Sequence, residues 1–161
     1  MTKQFVGAKL GVAHTNPEAR LGEEHYDPST GKHYMYMQAD GAVIADTPYN
    51  YDAATFQIED KADAAVIPAD STSVPICFSS FALADNEYGW IFVGPGPFSA
   101  VTDATGITAA NAIVYISATV GTLSSGATAA LLKGVSTEAV VTGGATGTFY
   151  ARNRLWSEDL P

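Results

Sequence analysis

Charge is what this chain has least of. Only 16% of its 161 residues are Asp, Glu, Lys or Arg, against about a quarter in an ordinary globular domain. Eight of the charged residues are basic and 17 acidic, a net charge of −9, so the body repels nucleic acid rather than attracting it. One cysteine, Cys77, excludes a disulfide framework within the chain. It sits in the apolar run 76–83 with no histidine or helix N-terminus beside it, which suits a small buried hydrophobe rather than a reactive thiol. No apolar stretch is long enough to cross a bilayer as a helix. Residues 1–10 lack the apolar segment of a signal peptide, so the expected site of synthesis and folding is a cytoplasm. Nowhere does a helical apolar period run beyond about two turns. Gly-x-Ser-x-Gly, Gly-x-x-x-x-Gly-Lys and a helix-opening Gly-x-Gly-x-x-Gly are all missing.

What remains is a chain of small and β-favouring residues. Hydrophobic side chains make up 47% of it, enough for a folded core and too many for a disordered polymer. Short alternating runs are separated by turn signals every 8–12 residues or so, the pattern of an all-β barrel or sandwich. The expectation is one compact antiparallel β-barrel or β-tulip-like domain over residues 21–161, preceded by an extended arm of residues 1–20. No domain boundary and no internal repeat is visible.

The central stretch carries the densest aromatic content. Residues 76–83 and 88–93 flank the acidic corner Asp85-Asn86-Glu87 and end in Gly94-Pro95-Gly96-Pro97. This reads as an antiparallel hairpin, with Phe81, Tyr88, Trp90 and Phe92 as core residues. Residues 32–38 alternate, placing His33, Met35 and Met37 on one face and Tyr34 and Tyr36 on the other. Asp27-Pro28-Ser29-Thr30-Gly31 is a turn, and Asp40-Gly41 predicts a second hairpin returning through 42–45.

Charge is unevenly placed. Residues 21–150 hold 14 acidic side chains against Lys32, Lys61 and Lys133, whereas residues 1–20 hold Lys3, Lys9 and Arg20 against Glu18 alone. The arm is thus basic and apolar, and Phe5, Val6, Lys9, Leu10 and Val12 are its candidate contacts with another surface. Chemistry-bearing clusters are sparse. Glu23, His25, Asp27 and His33 could be drawn as a metal site, but their spacing matches no ligand pattern and all belong in or beside a loop. Asp85 and Glu87 lie on a turn, where carboxylates are favoured for backbone reasons. Gly94-Pro95-Gly96-Pro97 lacks the free amides of a phosphate cradle. No cofactor and no catalytic residue is expected. Tyr34, Tyr36, Tyr49 and Tyr51 could form an aromatic binding patch, which makes a carbohydrate-binding or adhesive module the alternative reading.

Several landmarks occur in order. Leu21-Gly22 precedes Asp27-Pro28-Ser29-Thr30-Gly31-Lys32-His33-Tyr34-Met35-Tyr36-Met37-Gln38-Ala39, which runs into Asp40-Gly41-Ala42-Val43. Then come Phe81-Ala82-Leu83-Ala84-Asp85-Asn86-Glu87-Tyr88-Gly89-Trp90 and, after a glycine-containing stop, Ala110-Asn111-Ala112-Ile113-Val114-Tyr115-Ile116-Ser117-Ala118-Thr119-Val120-Gly121-Thr122-Leu123. Spread over residues 21–156, this order resembles the capsid decoration, or cement, proteins of tailed bacteriophages. The loop 18–27 and the tail after Tyr150 have no counterpart in the pattern. The resemblance implies a non-enzymatic structural protein on the outer surface of an icosahedral head, bound to the major capsid protein. It also implies self-association as a homotrimer, formed on the capsid or before it, and no nucleic-acid or membrane partner.

Overall fold

A computed structural model describes residues 8–62, 74–126 and 130–158. The described chain has no helix and is built from thirteen strands, bearing out the all-β expectation. They are β1 (Glu24–Asp27), β2 (Lys32–Ala39), β3 (Pro48–Asp52), β4 (Gln57–Lys61), β5 (Val74–Phe78), β6 (Tyr88–Phe92) and β7 (Gly96–Val101). The second half adds β8 (Tyr115–Ile116), β9 (Leu123–Ser124), β10 (Ala130–Leu132), β11 (Val135–Ser136), β12 (Thr146–Ala151) and β13 (Trp156–Glu158).

Five strands close a barrel in the order β2-β6-β5-β3-β4 and back to β2. Its pairs are antiparallel except β2 with β4, which is parallel through Gln38↔Gln57 and Ala39↔Ile58. Closure removes the sheet edges that would otherwise invite aggregation. The alternation of β2 decides what fills the inside. Met35, Met37 and Ala39 point inward with Tyr49 and Tyr51 of β3, Ile58 of β4, Cys77 of β5 and Ile91 of β6. A second core lies between the outer face of β5 and β6 and the C-terminal half. Its centre is a phenylalanine stack. Phe98 lies 4.4 Å from Phe78, 5.3 Å from Phe92 and 5.7 Å from Phe149, ring centre to ring centre.

The expected central hairpin is not a tight one. β5 and β6 meet at a single register pair, Phe78↔Phe92, while the long partner of β6 is β2 over Tyr34↔Phe92 to Gln38↔Tyr88. The Asp40-Gly41 hairpin does not form either. Residues 40–47 instead reach across to the loop between β5 and β6, where Val43 pairs with Leu83. Two-residue turn signals report that a chain turns; they do not report whether it returns along itself. Lys133-Gly134 separates β10 from β11, with Gly134 at φ +68.

Contrary to the absence of a visible repeat, one backbone unit recurs four times among the described residues. It links β2 to β3, β5 to β6, β7 to β8 and β11 to β12. Each copy centres on a buried apolar residue: Val43, Leu83, Ile107 or Val141. Each is followed three or four positions later by a residue in the left-handed region: Asp46, Asn86, Asn111 or Gly144. Asn, Asp and Gly enter that region at least cost. The units associate in two reciprocal pairs. Val43 and Leu83 exchange both backbone hydrogen bonds, and the Asp46 and Asn86 amides donate to the carbonyls of Ser79 and Ala39. Ile107 and Val141 exchange bonds in the same way, and the Asn111 and Gly144 amides donate to Thr137 and Asp103. Each pair therefore obeys a local two-fold relation, the first clamping the barrel and the second the C-terminal half.

Candidate functional site

The most distinctive surface is the seat of the N-terminal segment on β2 and β6. Tyr36, on the outer face of β2, is fully buried. It stacks on Tyr88 at 6.3 Å and meets Trp90 edge-on at 5.2 Å. Trp90 in turn packs edge-on against His25 of β1 at 5.6 Å. This aromatic layer needs a cover, and residues 13–20 supply it. His14 and Tyr88 exchange backbone hydrogen bonds of 2.8 Å each, adding a short antiparallel bridge to β6. The Glu18 amide donates to the Tyr36 hydroxyl at 2.9 Å. Burial, named first among its causes, pushes the Tyr36 hydroxyl above its ordinary pKa. The His14 ring is buried, with Nδ1 at 3.2 Å from Glu18 Oε1.

Residues 8–12 behave differently. Lys9 and Val12 are exposed, Val12 at 47%, and Leu10 is half-buried. Lys9 Nζ reaches Glu18 Oε1 at 3.4 Å, an exposed ion pair. Phe5 and Val6, the other two candidate arm contacts, lie outside the described residues. The arm expected over 1–20 thus divides near Ala13: buried His14, bridged to Tyr88, and the Glu18 amide on the Tyr36 hydroxyl tie residues 13–20 to the folded body.

The other singled-out residues fall as follows. Phe92 is in the phenylalanine core, and Phe81 packs half-buried against the barrel core. Trp90, 7% exposed, and Tyr88 belong to neither core but to the aromatic layer under the N-terminal segment. Of the four tyrosines considered as a patch, Tyr49 and Tyr51 are inside the barrel, Tyr36 is covered, and Tyr34 packs against the second core. They form no surface patch.

The acidic and imidazole residues near β1 have backbone and ring partners. Asp27 accepts from the Ser29 and Thr30 hydroxyls, both at 2.7 Å, and from the Ser29 amide. The Thr30 hydroxyl and then the Ser29 contacts hold its carboxyl down to about 2. His33 packs on Tyr26 at 5.7 Å. Among the described residues no group of three or more His, Cys, Asp or Glu is placed to hold a metal ion. Asp85 accepts from the Gly41 amide and Glu87 from the Ala84 amide, so both carboxylates serve the turns. Cys77 is enclosed in the barrel, and burial pushes its thiol well above the usual range. Arg154 joins the tail to the body, with Nη2 at 3.0 Å from Glu24 Oε1.

Sequence reasoning missed that residues 13–20 complete the barrel surface. The only sequence signal was the unexplained richness in aromatics of the outward positions 36, 88 and 90. In comparison with known proteins, the chain matches no family model, and no curated protein matches it.

Proposed function

We propose that this chain is a structural virion protein that binds the outer surface of an icosahedral phage head and stabilises it by bridging major capsid protein subunits. The observation that carries this reading is how the N-terminal segment leaves the body. A closed barrel anchors residues 13–20, and immediately before that anchor the chain is basic and apolar, with Lys9 and Val12 exposed and Leu10 half-buried. The body behind it is strongly acidic. A segment of this kind gains order on a neighbouring surface, where the entropy cost of fixing it is met by contacts made there. The landmark runs that resemble those of decoration proteins point the same way, and two of them fall on the paired strands β2 and β6.

A protein that binds only the assembled, expanded shell stabilises that shell by mass action. No catalytic step is needed, and low surface charge suits a molecule that covers much of itself against capsid and sister copies. Trimers at threefold positions are the assembly this reading favours.

The test is deletion of residues 1–12. The cut spares the His14–Tyr88 bridge and removes one exposed ion pair, worth about 0–1 kcal/mol, together with half-buried Ala8 and Leu10. The truncated protein is expected to melt within a few degrees of the full chain, on the order set by a loss of that size, and to fail to co-sediment with expanded heads. Unfolding on truncation, or undiminished head binding, overturns the role given to the segment.

A further inference from the structure

We infer that a small cavity on the outer face of the barrel is a binding site for an alkylammonium group, carried by a free amine or by a lysine side chain of another protein. The cavity has a volume of about 60 Å³ and lies against β2, β5, β6 and β7. Its walls are aromatic: Tyr34, Phe78, Trp90, Phe92 and Phe98. Tyr34 meets Phe92 edge-on at 6.2 Å, and the other four rings are buried in the body. Packing within the chain therefore fixes these walls before any ligand arrives.

Asp46 also lines the cavity, and it selects the ligand. It holds the left-handed position of its backbone unit, at φ +57. In the other three units that position is Asn86, Asn111 or Gly144, so the backbone needs no charge there. The Asp46 amide donates to the Ser79 carbonyl, and the Asp46 carbonyl accepts from the Val101 amide. Its carboxylate has no hydrogen bond or ion pair among the described residues. The residue is half-buried, and burial, with no donor to offset it, pushes its carboxyl above the ordinary carboxylate value. A carboxylate drawn out of water is unfavourable unless a cation or donor meets it. This unit thus carries a charge that its fold does not use, beside five aromatic rings.

An alkylammonium answers each feature. Its charge pairs with the carboxylate, and a cation beside aromatic rings is attracted by their quadrupoles, more so when desolvated. The space is several times what one water needs. It admits a head group of a few heavy atoms and is far smaller than the pockets of drug-sized ligands. Lys32 lines the same cavity without pairing with Asp46. It is a like charge for the ligand, so removing it should favour binding. The acidic body draws cations to its whole surface, and the test must therefore localise the binding.

The experiment is an NMR titration of the full chain with methylammonium chloride and, separately, with Nα-acetyl-lysine amide, sodium chloride being exchanged to hold ionic strength constant. Saturable shifts are expected at the Trp90 indole and at the Tyr34 and Phe98 rings. Asp46→Asn, which installs the residue type of Asn86 and Asn111, should weaken binding about fivefold or more. Lys32→Gln should tighten it about twofold, and it decides the matter should Asp46→Asn not fold. Equal or stronger binding of the lysine amide assigns the site to a side chain of a partner protein. Stronger binding of methylammonium assigns it to a free amine; both support the inference. Shifts that never saturate, shifts confined to other carboxylates, or equal binding by wild type and Asp46→Asn overturn it. So does a Lys32→Gln variant that binds no more tightly than wild type. The titration uses the free protein, so its result is independent of head binding.

Discussion

The two reciprocal pairs of connecting units reach the same hydrogen-bond geometry with different residues. In the barrel pair the positions before the paired apolar residues are Ala42 and Ala82; in the C-terminal pair they are Gly106 and Val140. Gly106 is at φ +69, and a Cβ there would run into the Val141 carbonyl oxygen and lie 2.6 Å from the Gly143 amide nitrogen. Gly143 is likewise pressed against the Ala104 carbonyl. The C-terminal pair is therefore packed backbone to backbone, and the barrel pair leaves room for methyl groups.

The pairs also differ in how they satisfy the amide two positions before the apolar residue. In the C-terminal pair each unit helps itself: the Thr105 amide donates to its own Asp103, and the Ala139 amide to its own Thr137 hydroxyl. In the barrel pair, Phe81 uses its own Ser79, but position 39 is Ala, and the Gly41 amide crosses to Asp85 of the other unit. The shared requirement is that backbone groups removed from water find partners. Which side chain supplies the partner is free to vary.

The largest effect should come from Gly106→Ala. Left-handed strain and overpacking together are expected to cost roughly 2–5 kcal/mol, read as a fall in the urea midpoint. The matched change in the barrel pair, Ala82→Gly, should cost under about 1 kcal/mol. Equal midpoints for the two variants would show that the pairs are not packed differently.

Next is Asp103→Ala against Asp85→Ala. Asp103 accepts from the Ser117 hydroxyl at 2.7 Å and from the Thr105 and Gly106 amides, so its loss should cost about 1–3 kcal/mol. Asp85 is exposed and accepts one amide, so its loss should cost about 0.5–1.5 kcal/mol. A pH series sharpens the contrast. Burial pushes the Asp103 carboxyl up, but hydrogen bonds from the Ser117 and Ser124 hydroxyls and the Gly106 and Thr105 amides outweigh it, so its pKa is lowered from 3.8. A carboxyl lowered on folding stabilises the native state above its unfolded pKa, and the stabilisation is lost as pH falls through the folded value. Asp103→Asn should therefore flatten the decline in stability below about pH 4. An unchanged acid limb would exclude that role.

The smallest effect is expected from Gly144→Asn, which installs the residue type that the barrel pair uses at Asn86. The position is left-handed and a Cβ there meets nothing within 4 Å, so thermal melting should register a change within about 1 kcal/mol.

Part of this architecture is legible in the chain. The alternation of residues 32–38 sends Met35 and Met37 into the barrel. The turn at 27–31 forms with Gly31 at φ +69 and its amide on the Asp27 carbonyl. With the structure in hand, the repeated unit also has a sequence trace: a buried aliphatic residue followed three or four positions on by Asp, Asn or Gly. That trace is too short and too degenerate to stand out unaided. The seat of residues 13–20 was not legible, because nothing near His14 in the chain announces Tyr88, 74 positions away; only the aromatic surplus of β2 and β6 points to a missing cover.

The sequence by itself determined the secondary-structure class, the face β2 turns inward, and the places where the chain bends. These follow from side-chain period, backbone propensity and left-handed tolerance, which act over a few residues. Only the tertiary structure decided that β2 lies between β6 and β4, and that Val43 finds Leu83 and Ile107 finds Val141. Strand pairing joins segments far apart in the chain, and many registers satisfy the same local pattern. The choice among them is made by the burial and hydrogen bonding of the whole assembly at once.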